Sequence, residues 1–300
     1  MRTASLHAVS RARSLSILAV TVLLFGASWP VMKLGLADAA PLWFAFGRAV
    51  LMAACAASFL IATGRFATPS RHDLPLVLSI GLGQMAAFFA FSHFGLQHLP
   101  AGRGIVIAYS TPLWVIPLSW LFLREPLGPR HLAGCALGMV GLGALLLPDL
   151  AVLGTGSALF GEAWLIAAAL GWAIAIVHSR HGAWRLSVLQ LLPWQVGLAA
   201  ICLLAAAIMI EPAGHIAPSR SSFLALLFLG VFVGPLGAWG ASTVARSLPA
   251  HVSAVGFLAT PLIGVALSAL WLGETIGWDI GIGGGLMLAG LVLTAARRRG

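Results

Sequence analysis

The sequence predicts an all-α polytopic integral membrane protein: ten transmembrane helices arranged as two inverted five-helix repeats. Three observations predict it. The 300 residues are 60% hydrophobic and 8% charged, with a mean hydropathy of +1.00, whereas soluble globular domains carry about 25% charged residues. Apolar runs of about 20 residues, each able to cross about 30 Å of hydrocarbon, fill nearly the whole chain. Residues 99 to 145 also align without a gap on residues 248 to 294, a shift of 149 positions with 17 of 47 residues identical. Self-similarity at a fixed spacing is the mark of a repeated structural unit.

The first run, residues 14 to 34, follows Arg11 and Arg13 and ends at Lys33. The basic start and the Ala37-Asp38-Ala39 sequence invite a reading as a cleaved leader, but about 20 apolar residues exceed the core of a signal peptide. Its removal would leave the first half one helix short, so it is read as helix 1. Helix 2 (41 to 62) carries Arg48, and helix 3 (74 to 96) carries Gln84, Phe88 and, near its end, His93. Helix 4 (101 to 123) follows Leu99-Pro100 and holds Tyr109, the sole tyrosine, three residues before Pro112. Helix 5 (130 to 147) carries Gly134, Gly138 and Gly141. In the second half, helix 6 (157 to 178) bears Glu162 and Trp172, helix 7 (188 to 210) Trp194 and Gln195, and helix 8 (222 to 245) Trp239. Helix 9 (250 to 272) repeats the Leu-Pro-Ala and Thr-Pro-Leu of helix 4, with Phe257 ahead of Pro261. Helix 10 (278 to 296) has the glycines Gly281, Gly285 and Gly290, with Gly277 just before it. Small residues four apart let helix backbones approach closely, so helices 5 and 10 are read as scaffold.

Four segments follow: a cytoplasmic tail (1 to 13), a first repeat (14 to 150), a second repeat (151 to 296) and a basic cytoplasmic tail (297 to 300). Five helices per repeat is an odd number, so the second repeat enters the membrane opposite to the first. Such symmetry lets one pattern adopt two conformations that exchange between halves, which is alternating access.

The net charge of +9 would point to nucleic acid in a soluble protein. Here the charges lie mostly in loops on one side. With the amino terminus inside, 13 of the 17 Lys and Arg residues fall in cytoplasmic segments, while Lys33, Arg103 and Arg220 lie at the outer face and Arg48 within helix 2. This is the positive-inside pattern, and it places both termini in the cytoplasm, with no nucleic-acid partner expected. Cys55, Cys135 and Cys202 each sit in an apolar span, which argues against a disulfide framework. His178 and His181 stand beside Arg180 and Arg185 in a basic loop, and no metal or other cofactor is expected. Lys33 is the only lysine and lies outside any phosphate-loop sequence, so ATP hydrolysis at such a site is excluded. No nucleophile with a base stands at membrane depth, so no enzyme is expected.

The residues resemble a known family. The Leu-Pro-Ala entry, the Thr-Pro of helices 4 and 9, the Leu-x-Glu-x-Leu/Ile at Glu125 and Glu274, and the Gly-x-x-Leu-x-x-x-Gly of helices 5 and 10 are similar to the EamA repeat of the drug/metabolite transporter superfamily. Gly26 through Lys33 resembles the opening of that repeat, with Phe25 where a Trp is common. Arg48 matches the Arg usual in its second helix, where the second half has Gln195. The resemblance implies a ten-helix inner-membrane carrier, often an exporter of amino acids, metabolites or drugs, with helices 1, 3, 4, 6, 8 and 9 around a central cavity.

Within that frame the expected substrate-binding residues are Trp29, Gln84, Phe88, Tyr109, Trp172, Trp239 and Phe257. A cavity of rings with a few polar atoms suits a small amphipathic solute. Thr111-Pro112 and Thr260-Pro261 are the expected hinges or gates, since an interior proline removes a backbone hydrogen bond and kinks a helix. Lys33, Arg48 and Glu162, toward the outer half, are expected to neutralise one another, and Glu125 and Glu274 to act in charge pairing, capping or gating. Arg124 and Arg130 are the sequence neighbours able to pair with Glu125. The partners expected are the bilayer and a small-molecule substrate, with proton coupling an open possibility alongside facilitated diffusion. A non-transporting receptor or assembly protein is the alternative from another class, and it leaves the inverted repeat unexplained. Oligomeric state, monomer or homodimer, is open.

Overall fold

The computed structural model describes residues 11–151, 156–180, 182 and 184–295, and these form ten helices long and apolar enough to cross a membrane. They are α1 (Arg11–Leu36), α2 (Pro41–Ala62), α3 (Leu74–His98), α4 (Ala101–Leu123) and α5 (Pro129–Pro148), then α6 (Ser157–Ser179), α7 (Val188–Ile210), α8 (Arg220–Ser247), α9 (Val252–Leu272) and α10 (Trp278–Ala295). Arg2, His181 and the carboxy-terminal arginines lie outside the described residues. The described residues form no strand beyond one antiparallel bridge between Ala39 and Ile216. Helix bounds follow the apolar runs because backbone groups in hydrocarbon must be satisfied within the segment. Local chemistry trims the ends: Pro41 opens α2, and a Ser187–Gln190 capping box opens α7.

Two helices are not uniform. α3 is π-helical over Ile80–Ala87 and α8 over Phe228–Leu236, positions that correspond under the 149-residue shift. Both segments lie inside the apolar runs 74 to 96 and 222 to 245, whose hydropathy carries no sign of them. Glycines at the widened turns permit unusually close packing on the other half. A Cβ on Gly81 would stand 2.8 Å from the Gln195 carbonyl oxygen, and one on Gly83 2.8 Å from that of Gly171. In α8, a Cβ on Gly230 would stand 2.6 Å from Leu51 Cβ. α3 thus packs on α6 and α7, and α8 on α1 and α2. The halves interleave; they are not two separate bodies.

α5 and α10 form the tightest seam. A Cβ on Gly134 would lie 2.6 Å from the Gly290 carbonyl oxygen, and one on Gly141 2.6 Å from that of Gly283. Shifting both members of the first pair between halves gives the second, so each half presents the same patch to the other. Gly281 and Gly285, expected in the same ladder, face open space instead. They sit on the opposite side of α10.

The bundle has two chemically distinct ends. At the acidic end, the α1–α2 and α7–α8 loops join through Ala40 N–H to His215 O (3.0 Å) and Ala217 N–H to Asp38 O (2.9 Å). There Glu211 Oε2 accepts from Leu42 N (3.0 Å) and caps α2, while Trp43 Nε1 donates to Glu211 O. At the basic end, Gln190 Nε2 donates to Arg65 O (3.2 Å) and Trp194 Nε1 to Ala67 O (2.9 Å). Trp194 therefore ties down a loop. Asp73 starts α3, where hydrogen bonds from the Ser70 hydroxyl and amide hold its carboxyl below the usual aspartate range.

Candidate functional site

The central rings come from helices of both halves. Phe88 of α3 meets Trp29 of α1 edge-on at 6.5 Å between centroids and Trp172 of α6 edge-on at 4.4 Å. The edge-to-face geometry matches the ring quadrupoles, and the three rings form one aromatic wall. Phe257 of α9 joins Phe25 of α1 at 6.4 Å. Phe25 was legible only as a departure from the repeat's usual Trp. Trp239 lies on α8, 42% exposed, and makes no ring contact with that wall among the described residues. Gln84 sits half-buried in the π-helical part of α3.

The Thr-Pro pairs fall at real breaks. α4 is helical over Ala101–Ala108 and again over Thr111–Leu123; likewise the helical stretch Ala250–Phe257, which runs into α9, is followed after a break by Ala259–Leu272. Proline removes the amide that would bond the carbonyl four residues back. In α4 that carbonyl belongs to Ala108, and Thr111 Oγ1 donates to it at 2.9 Å. The equivalent Thr260 does not do this. The buried Thr260 Oγ1 instead has the Tyr109 hydroxyl beside it and donates to no backbone carbonyl.

The charged residues do not pair as the sequence led one to expect. Glu162 Oε1 bonds Arg103 Nη2 at 2.6 Å, and Arg103 Nη1 reaches Asp279 Oδ2 at 3.0 Å, so one guanidinium joins α4, α6 and α10. Lys33 Nζ donates to the carbonyls of Leu96 (2.5 Å) and Leu99 (2.9 Å). Arg48 lies 4.1 Å over the Phe89 ring, with Nη1 3.6 Å from Met32 Sδ. The distances decide against a Lys33–Arg48–Glu162 cluster, because each group has found a nearer partner. His93, near the end of α3, is fully buried between Phe44 and Phe89, with Nδ1 against the Phe89 carbonyl. Sequence reading missed Arg103 and Asp279 as partners of Glu162; their only signal was location at the same predicted membrane face.

Glu125 and Glu274 differ from each other. Glu274 carboxylate oxygens accept from Ala101 N (2.7 Å) and Gly102 N (2.8 Å), capping α4. It caps a helix of the other half, not the one that follows it. Glu125 instead bonds Arg180 Nη1 at 2.9 and 3.0 Å, in place of its sequence neighbours Arg124 and Arg130. The residue before each glutamate is left-handed, Arg124 at φ 53° and Gly273 at φ 68°.

Two grooves lie apart from the aromatic wall. One of about 770 Å³, between α1, α8 and α9, is lined by Leu23, Phe228, Trp271 and similar side chains, with Ser221 its one hydroxyl. Another of about 290 Å³ lies between α4, α9 and α10 and brings Tyr109 and Pro261 onto one wall. Among the described residues no group of three His, Cys, Asp or Glu side chains is placed to hold a metal.

Ten apolar helices, buried charges matched to helix ends, and two broken helices define a polytopic integral membrane protein. The profile of the EamA-like transporter family matches residues 13–147 and 159–296. The chain belongs to the EamA-like transporter family, and it is a membrane transporter. A relative from Salmonella typhimurium, named "Probable amino-acid metabolite efflux pump", is 30% identical over 92% of this chain and 90% of its own length. An uncharacterized transporter of Bacillus subtilis is 27% identical over 94% of this chain and 89% of its own. A Streptantibioticus cattleyicolor protein named "Probable terminal-alkyne amino-acid exporter" is 25% identical over 94% of both. A solved crystal structure superimposes with a TM-score of 0.64 over 95% of this chain and 98% of that one, at 20% identity, a likeness of fold.

Proposed function

We propose that the protein exports small amphipathic metabolites of the amino-acid type across the cytoplasmic membrane by alternating access between two inverted repeats, 14 to 150 and 151 to 296. Both termini and the basic end face the cytoplasm, following the Lys/Arg bias of the loops. The observation that carries this reading is the reciprocal seam, Gly134 on Gly290 and Gly141 on Gly283, because reciprocal contact between equivalent patches is what a twofold axis produces. The unequal state of the two gates adds support. At the acidic end Ala101–Ala108 of α4 packs on Ala259–Leu272 of α9, and no comparable packing joins Thr111–Leu123 to Ala250–Phe257 among the described residues. This is the expected appearance of a carrier closed outside and open inside.

The relatives named as amino-acid efflux proteins support the substrate class, as does the aromatic wall, where the half-buried rings of Phe88 and Trp172 are available to an apolar side chain and the buried Trp29 backs them. Gln84 and Phe257 extend the proposed lining, Tyr109 contributes from the groove it shares with Pro261, Trp239 stands outside the wall, and Pro112 and Pro261 with their threonines are the proposed hinges. The test is export of radiolabelled amino acids from proteoliposomes. Trp172→Ala and Tyr109→Ala should each lower the flux at least tenfold, about 1.4 kcal/mol or more of lost stabilisation, with folded yield unchanged. Unchanged flux rejects the assigned site. Facilitation without proton coupling is the second reading, favoured because no Asp or Glu stands at mid-depth of a span; flux indifferent to a pH gradient supports it.

A further inference from the structure

The corner between α3 and α4, Leu99-Pro100, is gripped from both sides. Lys33, at the end of α1, donates to the last carbonyls of α3, those of Leu96 and Leu99. Glu274, just beyond α9, accepts from the first amides of α4, those of Ala101 and Gly102. A cation on a helix carboxy terminus and an anion on a helix amino terminus each satisfy orphan backbone groups and oppose the helix dipole. Beneath the grip the surfaces touch: a Cβ on Gly102 would stand 3.6 Å from both Ser268 Cβ and Val265 Cα of α9, and Ser268 is buried.

The corner between α8 and α9, Leu248-Pro249, is its copy. Leu99 has φ −127° and ψ 153°, and Leu248 has −113° and 151°. Pro100 has −57° and 146°, and Pro249 has −55° and 140°. The same two charges are at hand, since Arg180 follows α6 as Lys33 closes α1, and Glu125 is the 149-residue equivalent of Glu274. Here they hold each other. Arg180 Nη1 bonds both Glu125 oxygens, and the two side chains are 46% and 47% exposed.

We infer that Lys33 with Glu274, and Arg180 with Glu125, are two copies of one corner clamp that engage in turn during the transport cycle, so that the four residues set which face is closed. The inference rests on the alternating-access reading above. When the basic end closes, Glu125 leaves Arg180 for the backbone amides of Ala250 and His251, and Arg180 takes the terminal carbonyls of α8. At the acidic end Lys33 and Glu274 then release their corner and face each other. Each state has one clamp on a corner and one pair self-neutralised, so none of the four charges is left unpaired. That balance keeps the two states close in free energy, as a carrier that must visit both requires. The left-handed turn before each glutamate leads the chain off the helix axis at the same point in both halves.

The test uses the full-length protein in proteoliposomes, with Cys55, Cys135 and Cys202 replaced by Ala and a single Ser268→Cys reporter under the outer corner. Its reaction with a membrane-impermeant maleimide reads how often that face opens. Glu274→Gln should raise the rate about tenfold, and Glu125→Gln should lower it by a similar factor, the size expected for one charge-assisted hydrogen-bond set. Lys33→Gln should follow Glu274→Gln, and it replaces that variant should it not fold. Opposite signs from homologous substitutions support the clamp. Equal signs, or no response to Glu125→Gln, overturn it. A parent whose reporter stays unreactive while export proceeds overturns alternating access itself, which keeps the two failures distinct.

Discussion

Single side chains here are governed by the scarcity of water. Arg103 illustrates it: with two carboxylates in reach it satisfies both, at 2.6 and 3.0 Å, and ties three helices with one guanidinium. Charges at such depth need partners, because leaving one unpaired costs several kcal/mol, roughly 3 to 5 when a partner is deleted. Glu211 shows the converse. Burial raises its carboxyl above the ordinary 4.5, and this outweighs the hydrogen bonds from Leu42 and Trp43 that act to lower it. A raised folded-state value means the folded protein binds the proton more tightly than the unfolded chain does. The contribution of Glu211 is therefore fully present below 4.5 and is lost as pH rises through the folded-state value. Glu211→Gln keeps an acceptor for Leu42 and removes the charge. Its melting temperature, followed from about pH 4 to 7, should fall less with rising pH than that of the parent; an identical slope would reject the assignment.

At the scale of the element, the broken helices α4 and α9 decide most. Both prolines orphan a carbonyl, but only Thr111 repairs its own break, through Oγ1 to Ala108 O at 2.9 Å. The repeat is therefore uneven where its sequence is identical. Thr111→Val should cost about 1 to 2 kcal/mol of stability, the loss of one buried hydrogen bond with an acceptor left bare. Thr260→Val should cost less, since the Thr260 hydroxyl repairs no helix carbonyl and has only the Tyr109 hydroxyl beside it. Thermal unfolding in detergent distinguishes them, and equal losses would show that the two hydroxyls do the same work. The π-helical stretches of α3 and α8 have a related cause: Gly81, Gly83 and Gly230 bring backbone against the other half.

Across the whole molecule, packing between halves replaces the hydrophobic drive that water would supply, since lipid tails are as apolar as leucine. The α5–α10 seam depends on absent side chains. Gly141→Ala and Gly290→Ala should each lower the melting temperature, at a cost of about 1 to 3 kcal/mol for overpacking. Gly143→Ala and Gly281→Ala, on open faces of the same helices, should be neutral or slightly stabilising. Equal effects at all four positions would mean that the seam is not held by backbone approach. The interleaving of α3 with α6 and α7, and of α8 with α1 and α2, also means that neither half is complete alone.

The order, number and bounds of the helices were legible in the sequence because a backbone in hydrocarbon has few solutions, and apolar length reads them directly. Repetition at 149 residues located the Thr-Pro breaks and both glutamates. The partners were not legible. Lys33, Arg48 and Glu162 looked like a set because they share a depth, yet Lys33 found helix-end carbonyls, Arg48 a ring and Glu162 an arginine from another helix. Depth follows from position along a helix, whereas partnership depends on rotation about it and on which helix stands alongside. The near-identical corners at Leu99 and Leu248 likewise carry no sign in sequence of which is gripped. Sequence determined a pair of corners with the same residues; only tertiary structure decided that one copy holds a corner while the other holds itself, because a partner is chosen by helix rotation and neighbour, which spacing along the chain does not carry.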